Sequence, residues 1–138
     1  MQQISLITLG IADLARSKQF YGAGFGWSPV FENQEIVFYQ MNGLVLATWL
    51  KTALDADTGR LSGSIGAFAL AHNLGRQDAV EPLMQRLIAA GGSLLRAALA
   101  PPHGGYCGYV ADPDGHAWEI AWNPAWAMDA EGRITFGL

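Results

Sequence analysis

Hydrophobic and polar positions along the chain fall into two successive copies of one pattern. Residues 4 to 11 alternate, with Ile7, Leu9 and Ile11 on one side and Ile4, Leu6, Thr8 and Gly10 on the other, which predicts a strand. Asp13 then suits a helix N-cap, and Leu14, Ser17, Lys18 and Tyr21 form one helical row with Phe20 beside it. The glycines between Gly22 and Gly26 predict its end. Further strands are predicted over 27–31, 36–41 and 44–50, with Asn42-Gly43 as a hairpin turn between the last two. The order of this half is β-α-β-β-β.

Residues 51 to 64 are polar and predict a linker. A small-residue strand follows over 65–71, closed by His72 to Gly75. Val80, Leu83, Met84, Leu87 and Ile88 then share one helical face, and Gly91-Gly92 ends the helix. A strand over 93–99 leads through Pro101-Pro102 into a hairpin turning at Asp112-Pro113-Asp114-Gly115, a type I turn sequence. The second half repeats the order of the first. The chain thus divides into a module over 1–50, a linker over 51–64, a module over 65–123 and an extension over 124–138, in which 132–136 predicts a short strand. If the halves pair through their open sheet faces, one curved sheet encloses a cleft. In the last hairpin strand His116, Trp118, Ile120 and Trp122 share the side that packs under the helix. Glu119 therefore faces the cleft, between Ala117 and Ala121.

Composition narrows the classes of function. The chain has 138 residues, 51% hydrophobic and 14% charged, which fits one globular domain with an ample core. The net charge is −4 and no Lys/Arg cluster occurs, which argues against nucleic acid and anionic membranes as partners. No apolar run is long enough for a transmembrane helix, and the N-terminal residues lack the pattern of a signal peptide. With the single Cys107 excluding an internal disulfide, a cytoplasmic location is expected.

Two runs carry a family resemblance. Ile11-Ala12-Asp13-Leu14-Ala15-Arg16-Ser17-Lys18-Gln19-Phe20-Tyr21 resembles the helix-opening signature of the vicinal oxygen chelate superfamily, which includes glyoxalase I, extradiol dioxygenases, fosfomycin-resistance enzymes and bleomycin-resistance proteins. Gly108-Tyr109-Val110-Ala111-Asp112-Pro113-Asp114-Gly115-His116-Ala117-Trp118-Glu119 resembles its C-terminal signature. The resemblance spans residues 4 to 123. It implies an α+β fold of tandem βαβββ modules around a cleft, commonly as a homodimer. It also implies a divalent metal held by His and Glu from four strands. Carried over by position, those ligands fall on Leu6, near Ala47, on or beside Gly66, and on Glu119. Only Glu119 is a ligand type, and one carboxylate does not hold a transition metal tightly.

Leu6, Thr8, Val45, Ala47, Trp49, Gly66 and Phe68 share the parity of those metal positions and are expected in the cleft, with Tyr106 and Tyr109 at its rim. A mid-strand Glu119 is either a solvated or ion-paired residue, or a cleft acid serving as a ligand contact or general base; its alanine neighbours favour the second. His72, His103 and His116 show no metal-ligand spacing. The expected function is metal-independent, cofactor-free binding of a small organic ligand in an apolar, aromatic cleft with one acid. The alternatives are a metal-dependent lyase or dioxygenase, and a metal-free acid–base enzyme using Glu119.

Overall fold

A computed structural model describes residues 1–63 and 68–136. Each half folds as expected into a βαβββ unit of an α+β protein. In the first, β1 (Leu6–Ile11) lies parallel to β4 (Val45–Leu50), and β3 (Ile36–Gln40) and the short β2 (Phe31–Glu32) follow in the sheet order β1-β4-β3-β2. In the second, β5 (Ala69–Leu74) lies parallel to β8 (Ala117–Trp122), followed by β7 (Tyr106–Ala111) and β6 (Ser93–Leu99) in the order β5-β8-β7-β6.

Local chemistry sets the boundaries. Asp13 caps α1 (Leu14–Gln19), its Oδ1 accepting the Arg16 N–H at 2.8 Å. The helix widens into a π-helical turn, Phe20–Gly24. The hairpin between β7 and β8 turns as its sequence predicts: Gly115 N–H donates to Asp112 O at 3.0 Å, and Gly115 adopts φ +92°, which a side chain would strain. A 3₁₀ turn, Gln77–Ala79, leads into α3 (Val80–Ala89), which buries Val80, Leu83, Met84 and Leu87. Ile88, expected on that face, is exposed instead. The C-terminal residues form a two-stranded hairpin of β9 (Ala127–Met128) and β10 (Ile134–Thr135).

Three expectations change. The segment read as a linker holds α2 (Lys51–Thr58), closed by left-handed Gly59. Ala53, Leu54 and Ala56 favour the helix, while its polar residues conceal it in a hydropathy pattern. Trp27 to Val30 is irregular rather than strand, because Trp27 turns into the core. The second module's first strand is described only from Ala69 and runs to Leu74, so His72 lies within it rather than after it; residues 64–67, including Gly66, lie outside the described residues.

The halves meet through their helix sides. Leu9, Val37, Tyr39 and Leu46 from the first sheet form one buried cluster with Val110, Trp118 and Ile120 from the second, and with Phe20, Tyr21, Leu83 and Leu87 from the helices. Tyr21 sits between the sheets, its ring 5.7 Å from Tyr39 and 6.0 Å from Trp118. The other faces of the two sheets, which carry Thr8 and Glu119, lie away from this shared core. Amphipathic layers have only one apolar side to bury, and here each half buries its side against the other.

Candidate functional site

Strand register decides which predicted residues stand together. On the outward face of the first sheet, Leu6 pairs with Val45, Thr8 with Ala47 and Gly10 with Trp49. Ala47 is fully buried and Leu6 is exposed. Trp49 carries an indole N–H that is buried without a partner among the described residues. α2 folds over the end of this face. A Cβ on Gly10 would lie 3.1 Å from Lys51 Cγ and 3.3 Å from Leu54 Cδ2, so the bare glycine permits that approach.

Glu119 stands on the outward face of the second sheet, beside Ala71 on one side and Tyr109 on the other. Ala117 and Ala121 flank it along its own strand, and the carboxylate residue is half-buried. Burial raises the pKa of the Tyr109 phenol, and the negative charge of Glu119 adds to the rise. The Arg96 guanidinium lies 5.2 Å from the Tyr109 ring centre, and its Nη2 donates to Cys107 Sγ at 3.3 Å. Glu119, Tyr109, Arg96 and Cys107 thus make a polar strip across β6, β7 and β8.

Two predicted site residues belong elsewhere. The antiparallel register pairs Tyr106 with Trp122, on the helix side, and its hydroxyl donates to Glu81 on α3. Phe68 falls one residue out of step with the Glu119 face, whose partner in β5 is Ala71. Its ring stacks at 6.1 Å on His116, on the opposite side. Phe68 instead lines a recess of about 800 Å³ at the end of β1, with Thr8, Gly10, Lys51, Leu61 and His116. His116 Nε2 donates to Gly10 O at 2.8 Å, since a carbonyl only accepts. Lys51 and Leu61 were hidden in the supposed linker. The signal that marks them is an alanine-containing stretch ending at Gly59.

The donor set does not fit the divalent metal that the resemblance implies. Leu6 and Ala47 carry no donor atoms, and Glu119 lies on the outward face of the other sheet. Among the described residues no group of three or more His, Cys, Asp or Glu is placed to hold a metal ion. No helix among them is long and apolar enough to cross a membrane.

Comparison with known proteins bears on these sheets directly. The family model described as the glyoxalase/bleomycin resistance protein/dioxygenase superfamily matches residues 3–120. The solved structure of a glyoxalase-related enzyme from Fulvimarina pelagi superposes with a TM-score of 0.98 at 60% identity, covering 100% of both chains. A glyoxalase/bleomycin resistance protein/dioxygenase family enzyme from Burkholderia phytofirmans PsJN shares the fold at 20% identity and a TM-score of 0.74, over 86% of this chain and 96% of its own. A lactoylglutathione lyase from Agrobacterium tumefaciens does so at 21% and 0.71, over 94% and 99%. No curated protein matches the chain.

Proposed function

The chain belongs to the glyoxalase/bleomycin resistance protein/dioxygenase superfamily, and on that premise we propose that it binds a small organic molecule without a metal, in a cleft that two copies complete. The observation that carries this is Glu119, a half-buried carboxylate flanked along β8 by Ala117 and Ala121, while side chains without donor atoms occupy the matching positions Leu6 and Ala47. A lone acid among small residues suits hydrogen-bond donors or a cationic group on a ligand. Apolar contact comes from the other sheet, where Thr8, Ala47, Trp49 and Phe38 share one face.

Because both faces lie away from the shared core, a second copy is what brings them together. Leu6, Val30 and Phe31 are exposed in the first half, and Leu94, Leu95 and Leu99 in the second. Apolar surface on both halves supports a homodimer. Sedimentation equilibrium is expected to show a dimer, and Leu6→Asp to weaken self-association about tenfold or more. A monomeric wild type refutes this part of the reading. The proposal includes a cytoplasmic setting, supported by the lone thiol of Cys107.

Protein purified without chelator is expected to contain far less than one metal ion per chain by elemental mass spectrometry. Stoichiometric metal that disappears in Glu119→Ala would overturn the metal-independent reading in favour of a lyase or dioxygenase. A second reading is metal-free acid–base catalysis by Glu119. The description of the 60%-identical relative as a glyoxalase-related enzyme favours it. It predicts turnover lost in Glu119→Gln while ligand affinity survives.

A further inference from the structure

We propose that the chain carries a second ligand site, separate from the Glu119 face: a slot between the helix sides of the two sheets that takes a flat, uncharged aromatic molecule bearing one hydrogen-bonding group. The helices α1 and α3 fill the space between the sheets at one end. At the other end a groove of about 870 Å³, open to solvent on one side, remains between the halves, a volume in the range of small-molecule sites.

Its walls come from both halves. Tyr39 and Leu46 line it from the first sheet, Leu70, His72 and Trp118 from the second, and Trp27 from the loop between the π-helical turn and β2. The Trp27 ring lies 6.1 Å from Tyr39, 5.7 Å from Trp118 and 6.1 Å from His72. These are the spacings of rings in direct contact, so a ligand ring meets the accessible parts of Trp27 and His72 rather than lying between the rings. The C-terminal hairpin borders the opening, where the Asn42 side-chain amide donates to Glu131 O at 3.2 Å.

The slot is electrically neutral. His72 is packed edge-on against Phe25 at 5.1 Å, burial lowers its pKa, and no hydrogen bond to its ring is made among the described residues. At neutral pH it is therefore an uncharged imidazole with one donor and one acceptor free for a ligand. Burial and the nearby Glu32 charge push the Tyr39 phenol up to about 12, so it too stays neutral. At the opening, Arg133 and Glu131 pair at 3.3 Å. A charged ligand finds no uncancelled opposite charge among these groups. An aromatic hydroxyl or ring N–H finds His72.

The probe is 2-naphthol, with naphthalene as the same shape lacking the hydroxyl. Titration followed by tryptophan fluorescence and by the indole N–H resonances is expected to show saturable 2-naphthol binding that shifts Trp27 and Trp118. Ser28→Trp, a substitution at an exposed residue on the lining, blocks the opening without disturbing the core. Ser28→Trp and His72→Leu are each expected to weaken binding about tenfold or more. Naphthalene should bind more weakly than 2-naphthol and be indifferent to His72→Leu. Glu119→Gln should leave 2-naphthol binding unchanged, so this site and the Glu119 cleft stand or fall separately. No saturable binding to the wild type overturns the proposal. So does binding that Glu119→Gln weakens while Ser28→Trp and His72→Leu leave it intact.

Discussion

Tyr21→Ala is expected to cost about 4 kcal/mol of folding stability, in the range of large aromatic truncations in cores, and to lower the melting temperature by about 12 °C. Tyr21 is fully buried where the two halves meet. Its ring lies within 4.9 to 6.1 Å of Phe20, Phe25, Trp27, Tyr39 and Trp118. Its hydroxyl donates to Asp112 Oδ2 at 2.7 Å and accepts the Trp118 indole N–H at 3.2 Å. Burial, then the Asp112 charge, raises the phenol pKa well above its ordinary value, so the hydroxyl keeps the proton it donates. Tyr21→Phe keeps the ring and removes the hydrogen bonds. It is expected to cost about 2 kcal/mol, because a buried carboxylate loses a donor. Urea titrations of the two variants separate packing from hydrogen bonding. A loss below about 1 kcal/mol for the alanine variant would mean the halves do not depend on this contact.

Asp112→Ala is the second large effect, at about 3 kcal/mol. Asp112 is 2% exposed. One oxygen accepts the Tyr21 hydroxyl, and the other accepts the backbone N–H groups of Asp114 and His116 at 2.9 and 2.8 Å. Alanine strands all three donors and loosens the β7–β8 turn. The carboxylate also carries a pH signature. Burial raises its pKa, and the Tyr21 hydrogen bond only partly offsets this. An acid whose pKa is higher in the folded state favours folding when protonated. At neutral pH the native state therefore bears the full cost of the buried charge. That cost declines as pH falls through the folded-state pKa toward the ordinary value of 3.8. The stability of the wild type relative to Asp112→Asn is thus expected to improve as pH is lowered across that window. A difference that stays flat with pH would show that the carboxylate titrates alike in both states.

The βαβββ order was legible because its carriers are local. Alternation shows β1 and β8, Asp13 shows the start of α1, and Asp112-Pro113-Asp114-Gly115 shows the turn. The placement of Trp118 and Glu119 on opposite faces of β8 also followed from alternation. What alternation does not carry is register between strands and the docking of one half on the other. Phe68 was placed one residue out of step for the first reason. Tyr106 was placed on the wrong side because its face is set by pairing with Trp122 across the turn. α2 escaped notice because Lys51, Asp55 and Asp57 give it no apolar stripe; it holds its place by packing Leu54 and the Lys51 stem over Gly10. The slot containing Trp27, His72 and Trp118 draws on three separate stretches, and no spacing within any one of them announces it.

The core shared between the halves couples the two repeats. Tyr21, in the first repeat, neutralises the isolation of Asp112 in the second, and Gly24 in the first accepts a hydrogen bond from Arg86 in the second. Each repeat is therefore the solvent of the other's buried groups. A change on one inner surface alters the environment in which the opposite surface must be viable. Substitutions on one inner surface are therefore expected to be energetically coupled to the other, and those on the outward faces to be independent of it.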